Sequence, residues 1–223
     1  MDVASVLRMV PFLAPVSPAA MQRLVAASTL RHLRRGDFLF HTGDEVTQIF
    51  VIATGRVAAT LSSPGGTLLF FHVARAGETP GHNDMFLDSG YSASAQALSE
   101  VSVVAISRAV CVEVLESEPA ALVVYARGLG LIISLLTASM ADLVFLDLER
   151  RLARALDASA QTTGYALGLT QSEWAAQLGV ARQSLNQALA KLMSRGLVEN
   201  APGGGLRIRD HAGLELFVAS GRR

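Results

Sequence analysis

Residues 169–199 read Leu169-Thr-Gln-Ser-Glu173-Trp-Ala-Ala-Gln-Leu178-Gly-Val-Ala-Arg182-Gln-Ser-Leu-Asn186-Gln-Ala-Leu-Ala-Lys-Leu192-Met-Ser-Arg-Gly-Leu197-Val-Glu199. Thr170 and Glu173 have the spacing of a capping box, in which each side chain satisfies the other's orphan backbone N–H, so a helix starts there. Trp174 and Leu178 give that helix an apolar side. Gly179 breaks the pattern, and a second helix, Arg182–Ser194, buries Leu185, Leu189 and Leu192 at spacings of four and three. Its opposite face carries Arg182, Gln183, Asn186 and Gln187. Two short helices joined by a tight Gly-containing turn make a helix-turn-helix. Guanidinium and amide groups pair with guanine and adenine edges in the major groove. An ordinary helical hairpin with a solvated face is the other reading. Cap, turn and amide-rich face in this order favour DNA.

Composition frames the rest of the chain. A length of 223 residues with 51% hydrophobic content suits one large or two modest domains with a sizeable core. The formal net charge of zero hides an asymmetry. Residues 148–223 hold nine Arg and one Lys against six acids, whereas residues 1–147 hold nine Arg against thirteen acids. A basic C-terminal part behind an acidic N-terminal part suits a nucleic-acid reader joined to a segment that avoids DNA, although chance gives the same imbalance. The single cysteine, Cys111, excludes an intramolecular disulfide and a multi-cysteine metal site. His32, His41, His72, His82 and His211 are scattered without metal-ligand spacing. The glycine runs form no phosphate loop, and no serine has a paired His and acid at motif spacing. An enzyme is therefore not expected. The N-terminus lacks the basic and apolar regions of a signal peptide, which fits a cytoplasmic protein.

Three parts are expected: 1–117, 118–147 and 148–223. Residues 1–30 look helical, with Val6, Leu7, Met9 and Val10 in one piece and Met21, Leu24 and Val25 in another. Pro11, Pro15 and Pro18 separate them. From Leu33 to about Val114, short apolar or alternating runs (38–40, 48–52, 56–61, 67–73, 92–97 and 101–106) alternate with glycines. This is the pattern of an antiparallel sandwich or barrel, with a hairpin turn at Pro64-Gly65-Gly66. Over residues 118–147 Leu122, Tyr125, Leu129, Ile132, Leu136, Ser139, Leu143 and Leu146 follow the three-four spacing of a coiled-coil seam, with Met140 beside it. The flanking Val123, Val124, Ile133, Leu135 and Val144 are apolar too, so cover is needed on more than one side. A dimer partner together with the β-domain would supply it. A buried helix of a monomer is a second reading, and a membrane span over 119–141, with Arg127 its one charge, is a third. A polar helix at 148–160 then leads into the helix-turn-helix. Asn200-Ala-Pro-Gly-Gly-Gly205 separates two strand-like runs, 197–199 and 206–209, which would form a wing with Arg207 and Arg209 placed for phosphate.

The whole order resembles that of the catabolite-activator (cAMP receptor protein) and FNR family of bacterial regulators. Gly36-Asp37-Phe-Leu-Phe-His-Thr-Gly43-Asp44, followed by Phe50-Val-Ile-Ala-Thr-Gly55-Arg-Val, looks like the opening of a cyclic-nucleotide-binding β-roll. Phe145-Leu146-Asp147 is similar to the family's hinge after its long helix. The resemblance covers roughly residues 10–212. It implies an α+β chain made of a β-roll, a long dimerisation helix and a winged helix-turn-helix. It also implies a homodimer on a near-palindromic double-stranded DNA site, with an effector pocket in each β-roll closed by the long helix. RNA polymerase is a further candidate partner. No cofactor is required, the effector is unknown, and no membrane is involved.

On this resemblance the DNA contacts are Thr170, Gln171, Ser172, Arg182, Gln183, Ser184, Asn186, Gln187, Arg207 and Arg209. The dimer interface is Leu122, Leu129, Ile132, Leu136, Met140 and Leu143. The pocket is Gly81, His82, Asn83, Ser92, Ala93, Leu136 and Thr137. Here the sequence departs from the cAMP-binding members. His82 stands where a Glu takes the ribose hydroxyl, and Ser92-Ala93 stand where an Arg-Ser pair grips the cyclic phosphate. Arg and Lys are absent between Arg75 and Arg108, so the phosphate would lose a charge-assisted contact. His82 reads most simply as a satisfied, partly buried side chain, with a ligand contact or haem ligation as the alternatives. Ala181 stands where a hydroxyl cap is usual, and Gln183 and Gln187 where many members carry other residues, so the preferred half-site should differ. The rivals are a cyclic-nucleotide or cyclic-di-GMP sensor with altered contacts, and an adaptor whose C-terminal helices bind protein.

Overall fold

Seven strands in two antiparallel sheets form the body of the first of two units, Met1–Ile133 and Ser134–Arg223, in the computed structural model. The structure describes residues 2–62, 68–163, 170–201 and 206–220. The strands are β1 (Ser28–Leu33), β2 (Phe38–Phe40), β3 (Gln48–Thr54), β4 (Val57–Ser62), β5 (Leu68–Ala74), β6 (Ser94–Ala97) and β7 (Val101–Ser107). One sheet runs β1-β7-β3, the other β2-β6-β4-β5. Ile49 to Ile52 and Val103 to Ile106 are buried without alternation. A strand covered on both faces has this continuous apolar character. The cover includes Leu7, Leu13 and Leu24 from the N-terminal segment, all in the same core as β3 and β7.

The helices of this unit begin at recognisable caps. The Asp2 carboxylate accepts from the N–H groups of Ala4 and Ser5 at the start of α1 (Val3–Arg8). Ser17 caps α2 (Pro18–Ala26), with Pro18 at a position whose N–H would be orphaned anyway. Two expectations are corrected here. Residues 28–30 are strand, not helix: β1 pairs with β7 from Ser28↔Ile106 to Leu33↔Val101, a ladder that local periodicity does not reveal. Residues 108–117 form a helix, α3 (Arg108–Ser117), where β-type structure was expected to continue to about residue 114. Its apolar run is short enough to read either way, and burial of Cys111, Val114 and Leu115 at helical spacing decides it. The Pro64-Gly65-Gly66 turn lies outside the described residues. The strands beside it pair antiparallel, ending at Ser62↔Leu68, as a hairpin requires.

The helix α4 (Pro119–Phe145) starts in the first unit and ends in the second. Ala121 and Tyr125 are buried in the first unit's core, so Tyr125 leaves the expected seam and points inward. Beyond them Leu129 is partly buried against the same core, whereas Leu131, Leu135, Met140, Leu143 and Val144 are each at least 60% exposed. By length and composition this helix could cross a membrane.

In the second unit, α5 (Leu148–Thr163), α6 (Gln171–Leu178), α7 (Arg182–Ser194), the antiparallel pair β8 (Val198–Asn200) and β9 (Leu206–Ile208), and α8 (His211–Ala219) share one core. Leu152 and Leu156 of α5 meet Trp174, Leu178, Leu185, Leu189, Leu192 and Leu214 there. The helix α8 follows the wing, where the sequence pattern predicts none. Asp210 caps α8 by accepting from the Gly213 N–H at 2.9 Å.

Gly55 turns the chain from β3 into β4 at φ +89°, and a Cβ there would stand 2.3 Å from the Glu100 carbonyl oxygen. Gly55→Ala should cost roughly 2–3 kcal/mol, since both the backbone angle and the contact oppose it. Urea unfolding measures this, and an unchanged midpoint would show that the turn moves freely.

Candidate nucleic-acid interface and effector pocket

The helix-turn-helix is built from local signals. Thr170 Oγ1 accepts from the Glu173 N–H at 3.2 Å, and the Glu173 carboxylate accepts from the Thr170 N–H at 2.7 Å. Gly179 ends α6 in the left-handed conformation, φ +66°, a region favoured by glycine's missing Cβ. Ala181 precedes α7 and provides no side-chain cap. With Leu185, Ala188, Leu189 and Leu192 held in the core, Arg182, Gln183, Asn186 and Gln187 are left exposed on α7. Thr170, Gln171 and Ser172 at the start of α6 are exposed as well, and Arg182 Nη2 donates to Gln171 Oε1 at 3.4 Å. Ser184 is half-buried.

On the wing, Arg207 forms an ion pair with Glu199, Nε donating at 2.8 Å, and Arg209 is exposed. Two supporting residues of α5 were not singled out from the sequence. Arg151 of α5 donates to the Leu178 carbonyl at 2.6 Å, tying the end of α6 just before the turn. Glu149 accepts from Lys191 at 2.6 Å and from Arg195 at 3.1 Å, which ties the far end of α7 to α5. Charged residues on a polar helix read as a solvated face, and only the tertiary contact distinguishes them.

The pocket segment lies in the first unit. Gly81, at φ +76°, is packed so tightly that a Cβ would come within 2.7 Å of the Phe40 ring and 2.8 Å of the Tyr91 ring. His82, Asn83 and Asp84 form one turn of 3₁₀ helix. His82 Nδ1 donates to the Thr79 carbonyl at 2.5 Å, and its ring stacks on Phe12 and meets Tyr125 edge-on. The Tyr125 hydroxyl donates to the His82 carbonyl at 2.9 Å. Asp84 is buried. Its carboxylate accepts from both the N–H and the hydroxyl of Ser92, each at 3.0 Å, and from the Asn83 amide at 3.0 Å. Tyr91 stacks on Phe40 with ring centroids 3.6 Å apart and donates to the Gln48 carbonyl at 2.5 Å. Arg108, the first basic residue after the segment, donates to the carbonyls of Met85 and Leu87 and to Asp88.

Gly81, His82, Asn83, Ser92 and Ala93 thus come together in one segment. Leu136 and Thr137 belong to the second unit, on the exposed part of α4. Asp84 and Tyr91 were passed over in the sequence. A carboxylate two residues after His82, in a stretch without cations, was the available signal.

Residues 30–118 match the cyclic nucleotide-binding domain family, and residues 150–217 match the Crp-like helix-turn-helix domain family. A CRP-like cAMP-activated global transcriptional regulator from Mycobacterium tuberculosis is 26% identical over 191 residues, covering 82% of this chain and 85% of that protein. A transcriptional regulator of the Crp/Fnr family from Eubacterium rectale has a similar structure, with TM-score 0.75 and 15% identity over 96% of this chain and 100% of that one. The cyclic-di-GMP-responsive global regulator of Xanthomonas campestris is similar at TM-score 0.71, with 20% identity over 87% of this chain and all of that one. This chain belongs to the Crp/Fnr family of transcriptional regulators. It is a DNA-binding regulator, of a kind that acts as a dimer.

Burial holds the His82 imidazole below its usual 6.5. A histidine kept neutral by the fold stabilises it fully above about pH 6.5, and that contribution is lost as pH falls through the lowered folded value. The thermal midpoint should therefore drop on acidification below pH 6.5. In His82→Asn, which keeps a donor for Thr79 but does not titrate, this part of the drop should vanish. An unchanged pH profile in that variant would assign the drop to other groups.

Proposed function

We propose that this chain is a cytoplasmic, homodimeric regulator that reads a near-palindromic DNA site without requiring cAMP. The observation that carries the DNA reading is the row of exposed Arg182, Gln183, Asn186 and Gln187 on a helix whose opposite face is fixed in a core. Arg182 reads a guanine, Gln183 and Gln187 read neighbouring bases, and Asn186 takes a base or phosphate. Thr170, Gln171, Ser172, Ser184, Arg207 and Arg209 position the backbone. Division of labour follows the chain: residues 1–117 form an effector-type domain, 118–147 the dimerisation helix and 148–223 the DNA-binding domain.

A second copy is the proposed cover for α4, through Leu122, Leu129, Ile132, Leu136, Met140 and Leu143. A regulator that docks on DNA has no use for α4 in a bilayer. At a promoter the bound dimer would also meet RNA polymerase. For the effector, the cAMP that activates the Mycobacterium relative would find His82 turned to Thr79 and Phe12, and Ser92 held by the Asp84 carboxylate. An altered cyclic-nucleotide contact set is the reading to be tested against this one.

Selection of sites from random DNA without nucleotide should yield a symmetric sequence. On that site Arg182→Ala should weaken binding by about 5- to 150-fold, the equivalent of one lost bidentate guanine contact, with a much smaller loss on random DNA. Equal losses on both would place Arg182 on phosphate, and a requirement for cAMP would overturn the effector reading. Leu136→Arg brings like charges together at the proposed seam and should convert the dimer to monomer in sedimentation; a stable dimer would refute this placement.

A further inference from the structure

The segment that faces the proposed effector site carries its own anion. Among the described residues, Asp84 is the buried carboxylate of the first unit, with 2% of its surface exposed. A carboxylate in such a place needs several donors. It has three: the Ser92 N–H, the Ser92 hydroxyl and the Asn83 amide. Ser92 and its neighbours occupy the place where a bound phosphate would take its contacts if the pocket followed the family pattern. The remaining features agree. The Phe40–Tyr91 stack closes on Gly81, and Gly43 and Asp44 clip the segment by exchanging backbone hydrogen bonds with Tyr91 at 2.8 and 2.9 Å. Arg108 is engaged with two carbonyls and Asp88.

We propose that Asp84 is the specificity-determining residue of this site: its carboxylate takes the place of an anionic effector, ordering residues 81–92 without a ligand and excluding phosphate-bearing ones. An entering phosphate would have to displace a hydrogen-bonded carboxylate and would meet its charge, while Arg108 is already held by the carbonyls of Met85 and Leu87 and by Asp88. This inference rests on the reading of the first unit as an effector-type domain that does not use cAMP.

The test uses the full chain and two variants, Asp84→Ala and Asp84→Asn, with inorganic phosphate as probe. Thermal midpoints are measured against sodium phosphate and against sodium chloride at matched ionic strength. The wild type should show no phosphate-specific rise. Asp84→Ala frees the Ser92 donors, should melt roughly 5–10 °C lower, and should recover saturably with phosphate but not with chloride. Asp84→Asn keeps the volume and removes the charge, so it should fold, melt slightly below wild type and gain a smaller phosphate-specific rise. If Asp84→Ala does not fold, Asp84→Asn decides. A folded variant with no phosphate-specific rise, or a wild type with the same rise, overturns the role of Asp84. Calorimetry of the wild type with cAMP separates the two readings: micromolar binding there defeats the cAMP-independent reading itself, and its absence leaves the melting series to decide Asp84 alone.

Discussion

The apolar surface of α4 cannot remain in water. Leu131, Leu135, Met140 and Val144 stand open along one chain, and each such side chain gains about 1.5–3 kcal/mol when fully buried. The helix is anchored at its start by Ala121 and Tyr125, which limits where the open part can go. In the proposed dimer a second copy would cover the same stretch, and two-fold symmetry would present two α7 helices to one duplex. A palindromic target is the DNA counterpart of that symmetry. The β-roll and the helix-turn-helix each have a closed core of their own, so α4 is the element whose burial the assembly has to solve.

What could be read from the sequence was what short-range chemistry decides. Thr170 and Glu173 are three residues apart and form the capping box expected of them, and α7 has the expected bounds because its leucine spacing and Gly179 define it. The misreadings occur where a distant segment decides. Ser28 to Leu30 became strand because β7, some seventy residues later, offered a ladder. Tyr125 fits a heptad seam by spacing, yet spacing does not say which core lies nearer, and its hydroxyl found the His82 carbonyl. Arg151 and Glu149 looked like solvent-facing charges because their partners, Leu178 and the pair Lys191 and Arg195, lie on other helices.

The pocket shows the same division. On the family resemblance, the sequence itself proposes that the sugar acid and the phosphate cation are replaced by His82, Ser92 and Ala93. The part of Asp84 and Tyr91 was not legible there, because they gain meaning only when the fold brings Ser92 and Phe40 to them. His82 is held by a carbonyl and two rings, the satisfied, partly buried side chain that its sequence context allowed.

The basic character of the C-terminal part is also less available than its composition implies. Arg150 pairs with Asp147, Arg154 with Asp142, and Lys191 and Arg195 with Glu149, while Arg151 serves a carbonyl. An ion-paired cation releases fewer counterions from a duplex than a free one, and counterion release supplies most of the affinity for random sequence. A bacterial chromosome presents millions of competing random sites, so occupancy of the right one depends on the ratio of specific to random affinity. In the proposed complex such ion pairs would lower the denominator of that ratio and leave Arg182 and its amide neighbours to set the numerator.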